Sequence, residues 1–320
     1  MTIGGGTGHF ALLSGIKKYN VHIAAVVTMA DDGGSTGVLR DELGVLPPGD
    51  LRQCLVALSE GDELMRRLFT HRFSKGTLKG HTFGNIFLST LEHVTGSINE
   101  AIDEVGRILK ITGRVLPVTL DTAKLVLELK NGKVLRGEHV IDEYAHLTRF
   151  GVHKAYLTPR PVLNPDVRTA VHEADIIVFG PGDLYTSLLP NILVPGLARV
   201  LKRSKAKKVF VSNLMNAYGQ TDNFTCMDYV DEFERLCGVK FLDHILYNTM
   251  EIPAPLLKRY VDEGEPVVCG AETRKGITCT GTALLSKTIE KPKKGDSVRR
   301  TLIRHDPDML AQALVKLAVQ

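Results

Sequence analysis

Short apolar runs alternate along the chain with segments whose apolar residues recur every third or fourth position. Residues 22–29 (HIAAVVTM), 175–180 (DIIVFG), 208–214 (KVFVSNL) and 243–248 (DHILYN) are brief, rich in β-branched residues and bounded by Gly, Pro, Asn or Asp. Runs that are apolar on both faces read as buried parallel strands. Helical spacing occupies residues 11–18, 165–173, 191–203, 227–237 and 254–263, and an amphipathic helix closes the chain at 307–319. Strands alternating with helices predict an α/β sheet covered by helices on both faces.

Two stretches depart from this rhythm. Residues 47–110 read as almost wholly helical, an insert packed beside the sheet. Within about 115–150, Leu125, Leu127 and Leu129 alternate with polar neighbours before an Asn131-Gly132 pair, the signature of a β-hairpin. No repeat or low-complexity linker separates these parts, so residues 1–320 are read as one α/β domain.

Composition narrows the picture. The chain is 43% hydrophobic and 24% charged, which suits a large buried core. No apolar run approaches the roughly 20 residues of a membrane helix, and Gly4 interrupts any leader-like apolar segment, so a cytoplasmic protein without a membrane span is expected. The five cysteines are scattered without CxxC or Cys/His ligand spacing, which predicts reduced buried thiols and no structural metal. A net charge of +4, no tryptophan and no aromatic residues among the basic runs argue against a nucleic-acid partner. The 202–208 run (KRSKAKK) is expected at a solvated helix end and the 291–294 run (KPKK) in a surface loop.

Ligands of open parallel sheets bind beyond the carboxyl ends of the strands. Four successive strand ends carry Gly, Ser, Thr, Asn or Asp: GGGTGHF (4–10), ADDGGSTG (30–37), GPGDLYTS (180–187) and NLMNAYGQTDNFT (213–225). Gly4, Gly5, Gly6 and Gly8 precede a helix, where bare backbone and the helix dipole suit a phosphate; a tight strand–helix turn is the plainer alternative. A nicotinamide fingerprint would require glycine where His9 stands, and no Walker GK[ST] is present. His9 is read either as a ligand donor or as a surface helix residue. Asp31 and Asp32 are adjacent and cannot point the same way. One is expected to cap its own loop and the other to face a ligand or a cation; which does which stays open. Arg40 and Asp41 are expected to pair with neighbouring loops. Asp183 is a candidate N-cap, with Thr186 and Ser187 as hydroxyl donors. His71, Arg72, His81 and Asn85 come from the insert without zinc-ligand spacing.

The segments GGGTGHFALLSGIKKY, ADDGGSTGVLRDELGVLPPGDLRQCLVALSE, LFTHRF, GHTFGNIFLSTL, GPGDLYTSLLPNILVPG and VSNLMNAYGQTDNFT closely resemble the gluconeogenesis factor (YvcK) family, in order, to about Thr225. That family is related to the CofD-like 2-phospho-L-lactate transferases. The resemblance implies a Rossmann-like three-layer α/β/α sandwich with a mainly parallel sheet. It implies a cytoplasmic bacterial regulatory protein that binds UDP-sugars, chiefly UDP-N-acetylglucosamine. It also implies a link to cell shape and wall integrity on gluconeogenic carbon sources, through protein partners it does not name. The alternative is a transferase acting on a diphospho-nucleotide donor. The implied phosphate loop falls on Gly5, Gly6, Thr7 and Gly8 and the acidic pair on Asp31 and Asp32. Later ligand positions fall on Gly182, Tyr185, Thr186, Asn213 and Thr221, and Asn85 joins them from the insert. No catalytic residue is assigned. A diphosphate ligand leaves Mg²⁺ open as a companion ion, and a homo-oligomer is left open as well. Only Met1, Thr2 and Ile3 precede the glycines where relatives carry a longer apolar strand, so the natural start is expected upstream or the first strand is clipped.

Overall fold

The short apolar runs fold as strands because both of their faces are covered. The structure, a computed structural model, describes residues 1–260, 264–270, 276–287 and 302–319. Its described strands are β1 (Thr2–Gly4), β2 (Ala24–Val27), β3 (Arg114–Pro117), β4 (Lys124–Leu129), β5 (Val134–Arg136), β6 (Val152–Thr158), β7 (Ile176–Phe179), β8 (Lys207–Val211), β9 (His244–Asn248) and β10 (Thr278–Thr282). Seven of them form one parallel sheet in the order β10-β9-β8-β7-β1-β2-β3. Ile3 pairs with Val26 on one side and Phe179 on the other, so β1 is central despite its three residues. The chain runs outward from β1 to β3 and returns to β7 on the opposite side. The order therefore reverses between β1 and β7, where ligands bind in sheets of this kind.

Alternate residues of each strand serve different layers. Ala24 and Val26 of β2 join Ile177, Phe179, Phe210 and Ile245 in one core, while Ala25 and Val27 face the insert with Leu51, Leu55 and Leu88. Val178, Val209 and Leu246 pack in a third cluster with Leu310 and Leu314. The fold is the expected α/β sheet with helices on both sides.

The first helices are α1 (Gly6–Ile16), α2 (Gly34–Leu43), α3 (Pro48–Leu58), α4 (Glu63–Thr70), α5 (Phe83–Thr95) and α6 (Ile98–Leu109). The last four of these form the expected insert, with Asp62, Thr82 and Ser97 capping α4, α5 and α6 through their side chains. The small sheet differs from the hairpin expected at 115–150. Residues 114–117 pair with β2 in the main sheet, and β6 adds a third antiparallel strand against β4. Two short helices, α7 (Glu138–Asp142) and α8 (Leu147–Phe150), follow β5.

Later helices are α9 (Pro165–Glu173), α10 (Leu189–Ile192), α11 (Leu197–Arg203), α12 (Cys226–Cys237), α13 (Ala254–Leu257) and α14 (Pro307–Ala318). The single helix expected at 191–203 is broken instead. Pro195 lacks a backbone N–H and Gly196 takes the left-handed φ of 97°, which ends one helix and turns into the next. The helix expected at 254–263 ends at Leu257; its residues 261–263 and the 291–294 run lie outside the described residues. The 202–208 run is only partly solvated: Lys202 and Arg203 close α11, but Lys208 is buried against Asp243 at 3.0 Å. Strand β8 begins there, and its alternation carries that side chain inward.

The cysteine expectation needs correction as well. Cys226 and Cys269 form a disulfide with Cα atoms 5.2 Å apart, while Cys54, Cys237 and Cys279 are free. A bridge between Thr225 and Val268 brings the two together across 43 residues, a proximity that spacing cannot show. Among the described residues no single helix is long and apolar enough to cross a membrane; one apolar helix pair is bent by 76° and lines the core.

Candidate functional site

The glycine run turns straight from β1 into α1. Helix α1 begins at Gly6, whose φ is +66°, and its N-cap is Gly5, which has no side chain to satisfy the first N–H groups. The glycines are also spatially required. A Cβ at Gly8 would run into the Pro181 carbonyl, and one at Gly5 into the Asp50 carboxylate. The loop after β7 therefore lies directly against the loop after β1, across the point where the strand order reverses.

A cavity of about 140 Å³ opens there. Gly5, Gly6, Thr7 and Gly8 form one wall, and Pro181, Gly182, Asp183 and Ser187 another. Asn213, beyond β8, lines it and accepts a hydrogen bond from the Gly182 N–H at 3.2 Å, which locks two loops together. Residues 184–188 form a wide π-helical turn; the Ser187 and Leu188 N–H groups both donate to the Asp183 carbonyl at 3.0 Å. Such turns recur at functional sites. Asp183 thus caps through its backbone, and its carboxylate, expected as the N-cap acceptor, is left accessible in the cleft.

Not every expected residue reaches this cavity. Asp31 caps its own loop, accepting the Gly33 N–H at 2.9 Å. Asp32 turns the other way and accepts the His139 N–H at 2.9 Å, so it pins the start of α7. Adjacent side chains diverge, and one aspartate fastens each side of the strand end. Asn85 accepts from Arg52 Nε at 2.8 Å and donates to Ser35 Oγ at 3.2 Å, bracing α2 against the insert with His81. Tyr185 is buried and donates to Glu232 at 3.3 Å. Thr186 is buried away from the cavity wall, and the Thr221 hydroxyl bonds Tyr229 and the Ala217 N–H within its own loop. His9 is neither a ligand donor nor a surface residue. It is fully buried, bonded to Thr2 at 2.8 Å, because one helical turn from Gly6 faces α3. Arg40 pairs with Asp41 itself, at 2.8 Å, rather than with another loop.

The arrangement of Asp32 carries a prediction. Asp32→Ala should cost about 0.5–2 kcal/mol of stability in urea unfolding, the usual effect of losing a helix cap. Asp32→Asn, which keeps an acceptor, should cost little. Ligand affinity should change less than threefold in either variant; a large affinity loss without destabilisation would place Asp32 in ligand contact instead.

Several contributors had no role assigned from the sequence, although Asp50 stands in the LPPGDLR stretch that carries part of the resemblance. Asp50 of α3 accepts the Gly6 N–H at 3.0 Å, directly beneath the glycine turn. Burial pushes its pKa up to about 7, with the charge of Asp31 adding to the effect and the Gly6 bond opposing it. Asp31 is raised by burial too, against the Gly33 bond. Glu138, the first residue of α7, is held well above the ordinary carboxylate range by burial and then by Asp31, Asp50, Asp32 and Asp142. Its Oε2 is buried with no partner among the described residues. The cleft carboxylate of Asp183 is pushed up to about 6 by the surrounding protein and Asp142, although water in the cleft screens it. Acids that resist ionisation thus crowd a turn built for an anion. From the far end of the chain, Ile303, Arg304 and His305 close the cavity beside Leu214 and Met215. The amphipathic helix starting at 307 was the feature visible nearby in the sequence.

Comparison with known proteins agrees with this architecture. Residues 1–285 match the family model described as 2-phospho-L-lactate transferase CofD. The gluconeogenesis factor of Bacillus subtilis is 38% identical over 317 residues, covering 98% of this chain and 96% of that protein. The gluconeogenesis factor of Halalkalibacterium halodurans is 40% identical over 281 residues, 87% of this chain and 86% of that one. A crystal structure of a UPF0052 family member from Bacillus halodurans superposes with a TM-score of 0.89 at 36% identity, covering 98% of this chain and 97% of that one. With its fold and nearly its whole length shared in this way, the chain belongs to the CofD family and is similar over nearly its whole length to the gluconeogenesis factors.

Proposed function

We propose that the protein binds a UDP-sugar, UDP-N-acetylglucosamine or a close relative, and acts as a regulatory protein of the gluconeogenesis factor type. The reading extends to a role in cell shape and wall integrity on gluconeogenic carbon sources, exerted through protein partners. The observation that carries the binding site is the convergence of three strand-end loops on one cavity at the reversal between β1 and β7. Bare glycine backbone at the start of α1 suits a diphosphate, because the helix dipole favours an anion there and glycine lets it approach closely, although the Gly6 N–H itself is held by Asp50. Gly5, Gly6, Thr7, Gly8, Gly182 and Asn213 are the proposed contacts. Asp31, Asp32, Asn85, Tyr185, Thr186 and Thr221 hold the surrounding loops.

Among the described residues no three His, Cys, Asp or Glu side chains converge as a metal site. Any Mg²⁺ here would be held chiefly by the diphosphate oxygens and water, as that ion commonly is, rather than by a protein cage. The second reading, a transferase using a diphospho-nucleotide donor, draws on the family match and on the raised acid Asp50 beneath the glycine turn, with Glu138 coupled to it.

Thermal shift and titration calorimetry test the reading. A ligand that binds only the folded state adds about 2.7 kcal/mol at a hundredfold excess over its Kd. UDP-N-acetylglucosamine should raise Tm more than GDP or NAD does. Greater stabilisation by NAD would sink the nucleotide-sugar reading. Cleavage of the donor on prolonged incubation, to UMP and sugar phosphate or to UDP and free sugar with water as acceptor, would favour the transferase reading over a regulatory one. Repeating the titration in EDTA decides whether Mg²⁺ accompanies the ligand.

A further inference from the structure

His305 reaches the cavity from the extended strip that precedes α14, bridged to Leu285 on its other side. The residue is only 6% exposed. Its ring donates one N–H to the Ser212 carbonyl at the end of β8. The other nitrogen, Nε2, is shielded and has no partner among the described residues. These two facts fix the tautomer. The proton is spent on Ser212, so it sits on Nδ1, and Nε2 presents a lone pair.

A buried lone pair of this kind repels a phosphate oxygen and attracts a donor. We propose that His305 Nε2 accepts a hydrogen bond from a hydroxyl or N–H of the bound ligand. His305 is then a specificity-determining residue that favours a diphosphate carrying a sugar or nucleoside over a bare polyphosphate. The inference rests on the nucleotide-sugar reading above. Burial holds the ring's pKa down at about 4, so the imidazole stays neutral at physiological pH and does not become a second anion-binding donor.

The geometry has a consequence for ligand orientation. Gly5, Gly6 and Gly182 offer small surfaces at the positive end of α1, the Gly6 and Gly182 N–H groups being held by Asp50 and Asn213, whereas His305 offers an acceptor. A ligand that satisfies both places an anionic group on the glycine turn and a donor-bearing group within hydrogen-bond reach of His305.

The test measures the affinities of UDP-N-acetylglucosamine and inorganic pyrophosphate for wild type, His305→Leu and His305→Gln by calorimetry, with urea unfolding of each unliganded protein. His305→Leu should weaken UDP-N-acetylglucosamine binding about tenfold, the size of one lost buried hydrogen bond, and leave pyrophosphate unchanged. His305→Gln, which keeps an acceptor, should recover most of the loss. Equal weakening of both ligands would mean that the residue only supports the loops or meets phosphate, and would overturn the inference. Unchanged UDP-N-acetylglucosamine binding by a folded His305→Leu protein would overturn it too. Failure of wild type itself to bind UDP-N-acetylglucosamine would instead sink the nucleotide-sugar reading, so the two failures are told apart.

Discussion

Gly6→Val should bind UDP-N-acetylglucosamine at least a hundredfold more weakly than wild type while keeping its fold. Gly6 sits at φ +66°, and a Cβ there meets nothing closer than the Ser187 hydroxyl at 3.8 Å, so the new side chain fills the cavity rather than the core. A branched residue in the left-handed region costs about 1–2 kcal/mol of stability, which a chain of this size survives. The effect on binding is larger because a phosphate must approach bare backbone at this point, and a hundredfold loss corresponds to about 2.7 kcal/mol. Gly8→Ala is the contrasting variant. Its Cβ collides with the Pro181 carbonyl, a backbone atom that cannot rotate away, so stability should fall along with binding. Calorimetry paired with urea unfolding separates the two cases. Undiminished affinity in a folded Gly6→Val protein would move the diphosphate away from the first loop.

The difference between these two glycines illustrates what was legible beforehand. Periodicity placed the strands and most helices because both-face burial and amphipathic spacing are local properties; residues 165–173 and the insert came out as read. The strand-end rule singled out the loops, since a parallel sheet delivers all its carboxyl ends to one edge, and the family resemblance named within them Gly5, Gly6, Thr7, Gly8, Gly182 and Asn213, which line one cavity. What stayed hidden depends on side-chain direction and on contacts distant in sequence. Nothing in ADDGG says that Asp32 reaches across 107 residues to His139 while Asp31 folds back on Gly33. Nothing local says that β6 pairs with β4, or that residues 303–305 return to the first loop. The buried His9 was misread although it lies three and four residues before Leu12 and Leu13 on the buried face of α1; a polar residue on that face gives no sign by itself that Thr2 will satisfy it.

The division of labour at the second strand end also explains why two like charges stand together there. Asp31 and Asp32 need not share a ligand. Each satisfies a different backbone N–H, and between them they fix both the turn into α2 and the docking of the small sheet's α7. That docking brings Glu138 toward Asp31 and Asp50, which makes the small sheet part of the site's surroundings.

Asp50→Asn should make the unliganded protein more stable than wild type at pH 8 and about as stable near pH 4, with the gap opening progressively between. The sign follows from linkage. An aspartate in the unfolded chain titrates near 3.8, while Asp50 in the folded protein titrates at about 7. The folded state therefore holds a proton that the unfolded state has lost across this window. The stability contributed by this group is fully present below about pH 4 and is lost as pH rises through about 7. The loss is on the order of 2–4 kcal/mol, its upper end applying without water relaxation. Asparagine cannot ionise, yet its side-chain oxygen still accepts the Gly6 N–H that Asp50 takes at 3.0 Å. The variant should therefore escape the decline, with a gap of about 2 kcal/mol at pH 8 in urea unfolding. Asp31 and Glu138 are raised in the same direction and are coupled to Asp50, so the difference between the two curves reads the titration of Asp50 together with its coupling to those two acids. Parallel curves from pH 5 to 8 would mean that Asp50 is ionised at rest. The same acid bears on binding. A diphosphate arriving at Gly6 adds negative charge beside Asp50 and favours its protonated form. Binding near pH 7 should then take up a proton in metal-free buffer, an uptake that Asp50→Asn lacks. Calorimetry in buffers of different ionisation enthalpy reads this directly, and equal proton uptake by both proteins would place the titrating group elsewhere in the cleft.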